Sequence, residues 1–223
     1  MATLKVWSFL YCLTEIEGVT WRPQDYTTMK IKKAVKGEEI KGYFEIRVGN
    51  QTKRFDNNNR DTFMPLLYNA IAAKLSTLIR GEFQIIPIPN KSALAKNSDD
   101  FLTWTHAKGI AARLSGKAEA IDALRWKYAM QQAHKTGGFR DPQLYFENLV
   151  VTKKPTKPIV LFDDLITSGS QMIACTRRLA EVGVKPVIGI VVGHATKEQP
   201  ENMIGWQEST VVIEEDPVDW DSF

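Results

Sequence analysis

The sequence predicts an α/β protein built on a parallel sheet, and three neighbouring stretches carry that prediction. Residues 158–162, PIVLF, are a short continuous apolar run of the kind found in a strand covered on both faces. Residues 171–183, QMIACTRRLAEVG, place apolar side chains at helical spacing and end on a glycine, and residues 186–192, PVIGIVV, give a second buried run. Strand, helix and strand within about 35 residues form a βαβ unit, whose strands lie parallel because the connection crosses over the sheet.

The rest of the chain is read around that unit. Residues 41–56, KGYFEIRVGNQTKRFD, alternate apolar and polar side chains on both sides of Gly49 and Asn50, which suit the positive φ angles of a hairpin turn. Residues 62–79 recur at helical spacing, with Asp61 placed to cap the first N–H groups and Gly81 to end the helix. Residues 83–89, FQIIPIP, are an apolar run closed by prolines, which fits a buried strand that must stop. Residues 90–105 are polar and loop-like before a helical pattern resumes at HAKGIAARL. Residues 124–157 lack clean periodicity, carry Gly137 and Gly138 together and end in KKPTKP, the pattern of a long mobile loop and connector. TVVI, residues 210–213, is a last strand before an acidic end. These readings divide the chain into an N-terminal addition over 1–82, containing the hairpin and a helix, and a core over 83–223.

Composition narrows the function classes. The 223 residues are 43% hydrophobic and 25% charged, ordinary for a folded protein, and no run approaches the roughly 18 apolar residues of a membrane span. The start has no small-residue cleavage site, two cysteines (Cys12, Cys175) build no disulfide framework, and three scattered histidines give no zinc spacing. The expected compartment is a reducing cytoplasm. The net charge of +3 hides an asymmetry: residues 1–157 carry 25 Lys+Arg against 15 Asp+Glu, and residues 158–223 carry 4 against 11. Clustered cations of that kind can hold nucleic acid or a small polyphosphate.

The chemistry concentrates at the carboxyl end of the PIVLF strand, the edge where open parallel sheets bind ligands. Asp163 and Asp164 stand directly after Phe162, and Thr167, Ser168, Gly169 and Ser170 form the turn that opens the next helix. Backbone N–H groups, hydroxyls and a helix N-terminus suit a phosphate monoester. Two adjacent carboxylates accept hydrogen bonds from a vicinal diol and can hold hydrated magnesium through water. Diol beside phosphate describes ribose 5-phosphate, whereas the glycine patterns of a P-loop and of a dinucleotide fold are both absent.

VLFDDLITSGSQM, residues 160–172, resembles the phosphoribosyl pyrophosphate (PRPP) motif of type I phosphoribosyltransferases. The order of elements over residues 83–195 is similar to the ComF-like branch of that family: a proline-flanked strand, a helix such as HAKGIAARL, then a loop with spaced Arg125, Lys127, Gln132 and Arg140. The chain departs from that branch in having LTWTH at residues 102–106 where an Arg-Gly-Phe-Asn-Gln stretch is expected, and in lacking N-terminal zinc cysteines. The resemblance implies the type I fold and Mg2+-dependent transfer of 5-phosphoribose from PRPP to a nitrogen acceptor such as a nucleobase. It implies Asp163 and Asp164 as catalytic and as water-mediated metal holders, with Leu165 and Ile166 joining the turn residues at PRPP. Asn90, Lys91, Lys127, Lys135 and Arg140 are the candidates for the pyrophosphate side. A non-catalytic PRPP or nucleotide sensor and an accessory protein of DNA uptake or processing are the competing readings, and a homodimer is the assembly considered.

Weaker signals have plain structural readings. His194 and His134 fit structural hydrogen bonding better than catalysis, and Trp104 and Trp126 fit core packing better than stacking on a base. KIKKAVK, residues 30–36, reads as a solvated helix face with nucleic acid as the alternative. Cys12 and Cys175 read as buried thiols.

Overall fold

A computed structural model describes residues 2–14, 18–129 and 141–213. The main sheet is made of β1 (Ala2–Leu13), β4 (Phe83–Pro87), β5 (Ala118–Ala120), β8 (Ile159–Ile166), β9 (Pro186–Thr196) and β10 (Ile204–Ile213). Five of these strands are parallel and β10 is an antiparallel edge, in the order β10-β1-β9-β8-β4-β5. Between them run α1 (Pro23–Val35), the hairpin β2 (Phe44–Val48) and β3 (Gln51–Phe55), α2 (Arg60–Leu78), α3 (Leu102–Ala111) and α5 (Ser170–Glu181). A small antiparallel pair, β6 (Leu124–Trp126) with β7 (Leu149–Val151), flanks α4 (Pro142–Asn148).

Helices cover the sheet on both sides, and strand alternation shows why. On β8, Val160 and Phe162 pack with Ile31, Val35, Leu67, Ile71 and Ile110 of α1, α2 and α3. Ile159 and Leu161 pack on the other face with Met172, Cys175 and Leu179 of α5. All four β8 side chains are fully buried, which accounts for an apolar run with no polar alternation. The hairpin turns at Gly49, whose φ of 61° is the left-handed value the sequence anticipates. Its Phe44 and Phe55 close with Phe63 of α2 into an aromatic triplet.

Several expectations need correction. Residues 2–13 are no appendage: β1 lies inside the main sheet, parallel to β9 and antiparallel to β10, so the 82/83 boundary would split one sheet. The alternation of β1, with Leu4, Val6, Leu10 and Cys12 buried, is the signal that marked it. The loop-like stretch 90–105 ends early, because α3 begins at Leu102, where Thr103 Oγ1 donates to Ile88 O at 2.7 Å. Asn59 rather than Asp61 stands at the N-cap of α2. The last strand covers 204–213 rather than 210–213. The 124–157 segment is ordered at both ends, by the β6-β7 pairing and by Trp126, whose indole is wholly buried and donates to the carbonyls of Pro89 and Asn90. Gln132, His134, Lys135, Gly137, Gly138 and Arg140 lie outside the described residues.

Candidate active site

The site begins with a mismatch in strand length. Pairing between β4 and β8 ends at Pro87 and Phe162, since β4 runs into Pro87 and Pro89 and proline donates no ladder hydrogen bond. On its other edge β8 continues beside β9 through Ile166, opposite His194. Asp163 and Asp164 therefore lie within the strand, not after it, at the point where one neighbour has stopped. That point is also the topological switch, because the chain leaves β4 for β5 on one side and enters β8 on the other.

The two acids diverge. Asp163 continues the α5 face, and its nearness pushes the already buried thiol of Cys175 further up. Asp164 reaches the opposite face, where Lys36 of α1 approaches it at 3.6 Å. Asp163 is held well above the usual carboxylate range, first by burial and then by the charge of Asp164, although its Oδ1 accepts the Asp164 N–H at 2.8 Å.

Next comes the turn. Gly169 adopts φ 78° at the N-cap of α5, a left-handed angle that costs a side-chain-bearing residue, and as a glycine it brings no capping side chain of its own. Gln171 and Met172, whose first-turn N–H groups have no partner inside the helix, line the cleft with Thr167 and Ser168. The hydroxyls of Ser168 and Ser170 meet at 2.9 Å. Acids and turn line one cleft of about 870 Å3, ample for a phosphorylated sugar and a second small molecule.

Asn90, Lys91, Trp126 and Tyr145 line its β4 side, and Cys12, Leu13, Thr14, Lys32, Lys36 and Ala195 its α1 side. Leu165 and Ile166 also line it. Lys127 does not: its ammonium donates to Glu147 O at 2.6 Å and braces α4. Arg125 is also structural, a buried guanidinium paired with Asp122 and donating to the carbonyls of Leu94, Asn97 and Asp99.

Lys32 and Lys36 are the site residues that sequence reasoning missed. They belong to the run assigned to a solvated face, but the spacing of four residues puts them together on α1, and that face turns to the cleft. His106 lies between Tyr68 Oη, at 2.7 Å, and Val35 O, at 2.9 Å, and burial lowers its pKa. His194 packs against Tyr11, and burial lowers its pKa too. Cys12 is a buried thiol pushed up to about 12, chiefly by burial.

No family model matches the chain, and no curated protein matches it. Among solved structures it is similar to a hypoxanthine phosphoribosyltransferase from Staphylococcus aureus, with 10% identity, a TM-score of 0.37 and coverage of 63% of this chain and 70% of that one. It is also similar to UMP synthase of Leishmania donovani, with 14% identity and a TM-score of 0.36, over 75% of this chain and 31% of that one. No helix among the described residues is long and apolar enough to cross a membrane.

Proposed function

We propose that the protein transfers 5-phosphoribose from PRPP to a nitrogen acceptor, releasing pyrophosphate. One observation carries this reading: a pair of carboxylates and a helix N-terminus opened by a left-handed glycine share a single cleft at the switch point of a parallel sheet. The turn from Thr167 to Ser170 takes the 5-phosphate on backbone N–H groups and hydroxyls, and the acids accept the ribose hydroxyls.

Departure of pyrophosphate leaves positive charge on the sugar and puts negative charge on the leaving group. In this reading Asp164 stabilises the first, with Asp163 beside it in the cleft, and Asn90 and Lys91 take up the second. Burial of the cleft floor limits attack by water. Among the described residues no three His, Cys, Asp or Glu side chains cluster to grip a metal directly. Two adjacent carboxylates fit Mg2+ held through water, and bound there it neutralises pyrophosphate charge.

The test is incubation with PRPP labelled in the ribose, Mg2+ and a panel of nitrogen heterocycles, read as labelled nucleotide and released pyrophosphate. Product that disappears with Asp164→Asn supports transfer. PRPP binding without any product across the panel supports a sensor, and absence of PRPP binding refutes both.

A further inference from the structure

The two walls of the cleft differ in chemistry. The β4 wall ends in exposed Lys91 and part-buried Asn90. The α1 wall has an apolar floor of Cys12, Leu13, Leu165 and Ala195, and above it the ammonium groups of Lys32 and Lys36 from one face of a helix. A small aromatic ring fits such a floor, and two cations over its edge suit an anion.

We propose that the α1 wall is the acceptor subsite and that Lys32 and Lys36 select a heteroaromatic acceptor carrying a carboxylate. This deepens, and rests on, the transfer reading. Lys36 is already near Asp164, but at 3.6 Å the contact is longer than a direct charged hydrogen bond. An ammonium has three donors, so Lys36 can serve a ligand carboxylate while keeping Asp164 in place. The thiol of Cys12, pushed up to about 12, stays neutral and does not repel an acid lying on it. Glu38, the acid of this wall beyond α1, is exposed at the rim, its N–H bonded to Lys33 O. Both lysines also lie near the helix C-terminus, where the dipole favours cations. That accounts for their presence on α1, but not for a face turned into the cleft.

The experiment is calorimetry on the full chain, first with PRPP and Mg2+ alone, then on protein loaded with ribose 5-phosphate and Mg2+, where no transfer can follow, with two matched pairs, orotate against uracil and nicotinate against nicotinamide. At least one acid is expected to bind about tenfold or more tightly than its neutral partner, the scale of one charge-assisted contact. Lys32→Met should erase most of that preference while PRPP affinity holds within about threefold, and Lys36→Met should erase it while also weakening PRPP, because Lys36 lies 3.6 Å from Asp164. Lys36→Arg should restore part of it, which a folding defect would not allow.

Neutral partners binding as tightly as both acids would overturn the proposal, as would the absence of saturable binding by either acid at millimolar concentration. Methionine variants that lose PRPP affinity but keep the preference would assign these lysines to pyrophosphate instead. Failure of PRPP itself to bind would bring down the transfer reading, and this is seen in the first titration before any acceptor is added.

Discussion

Replacing Asp163 with asparagine should stabilise the protein, by an amount that grows with pH. Asp163 holds its proton more tightly in the folded chain than in the unfolded one, chiefly because burial opposes its charge and secondarily because Asp164 lies beside it. A group raised in this way leaves full stability below the ordinary aspartate value of 3.8 and removes stability as pH rises towards the folded value. Each unit of upward shift corresponds to about 1.4 kcal/mol, and in a chain of this size that moves the melting temperature by roughly 3–6 °C. The asparagine amide would keep an acceptor for the Asp164 N–H, now at 2.8 Å, and would leave the Lys36 contact untouched. The measurement is the melting temperature of both proteins from pH 4 to pH 8. The two should nearly coincide at the acid end and separate upward, with the variant ahead; groups unchanged by the substitution cancel in the difference. A difference that stays flat with pH, or a variant that melts lower throughout, would show that the carboxylate is well satisfied in the fold and would refute the idea of acids held ready for a ligand. The same variant should bind PRPP about ten- to a hundredfold more weakly, the scale of charged hydrogen bonds to the sugar.

Gly169→Val should abolish binding of ribose 5-phosphate by calorimetry and lower the melting temperature by roughly 2–8 °C, because φ 78° costs a branched residue about 1–2 kcal/mol. The new Cβ would also lie 3.4 Å from Val211. Gly109→Ala drives a Cβ to within 2.4 Å of the Tyr68 ring, and the expected loss is about 1–3 kcal/mol in urea unfolding. Unchanged stability would mean that the Tyr68 contact with His106 yields freely. Arg125→Ala strips a 5% exposed guanidinium from Asp122 and three carbonyls, at a cost of about 3–5 kcal/mol, also read by urea unfolding.

What the sequence reveals here depends on how local the determinant is. The βαβ unit, the hairpin at Gly49 and the acid-and-turn motif are each written in consecutive residues; the unit and the hairpin are present where pattern places them, and the acids lie inside β8 instead of after it. The position of β1 is different in kind, because nothing in residues 2–13 says that their partners are residues 189–196 on one side and 204–213 on the other. Lys32 and Lys36 lie between these cases. Their helix was legible, but the face turned to the cleft depends on how α1 packs through Ile31, Ala34 and Val35. Likewise Lys127 was a fair guess from spacing, and only the placement of α4 shows it occupied by Glu147 O.

The seat of β1 between β9 and β10 also governs the order in which the molecule can be made. Residues 2–13 are separated from both their neighbours in the sheet by about 190 residues, so during synthesis they wait roughly 10–40 s for those partners at ordinary rates. During that interval an alternating apolar strand, with Leu4, Val6 and Leu10 on its buried side, has no sheet to join. Contacts so far apart in sequence slow folding, because loop closure precedes any gain from pairing. The acids of β8 therefore acquire their full setting only when residues 2–13 meet residues 189–213.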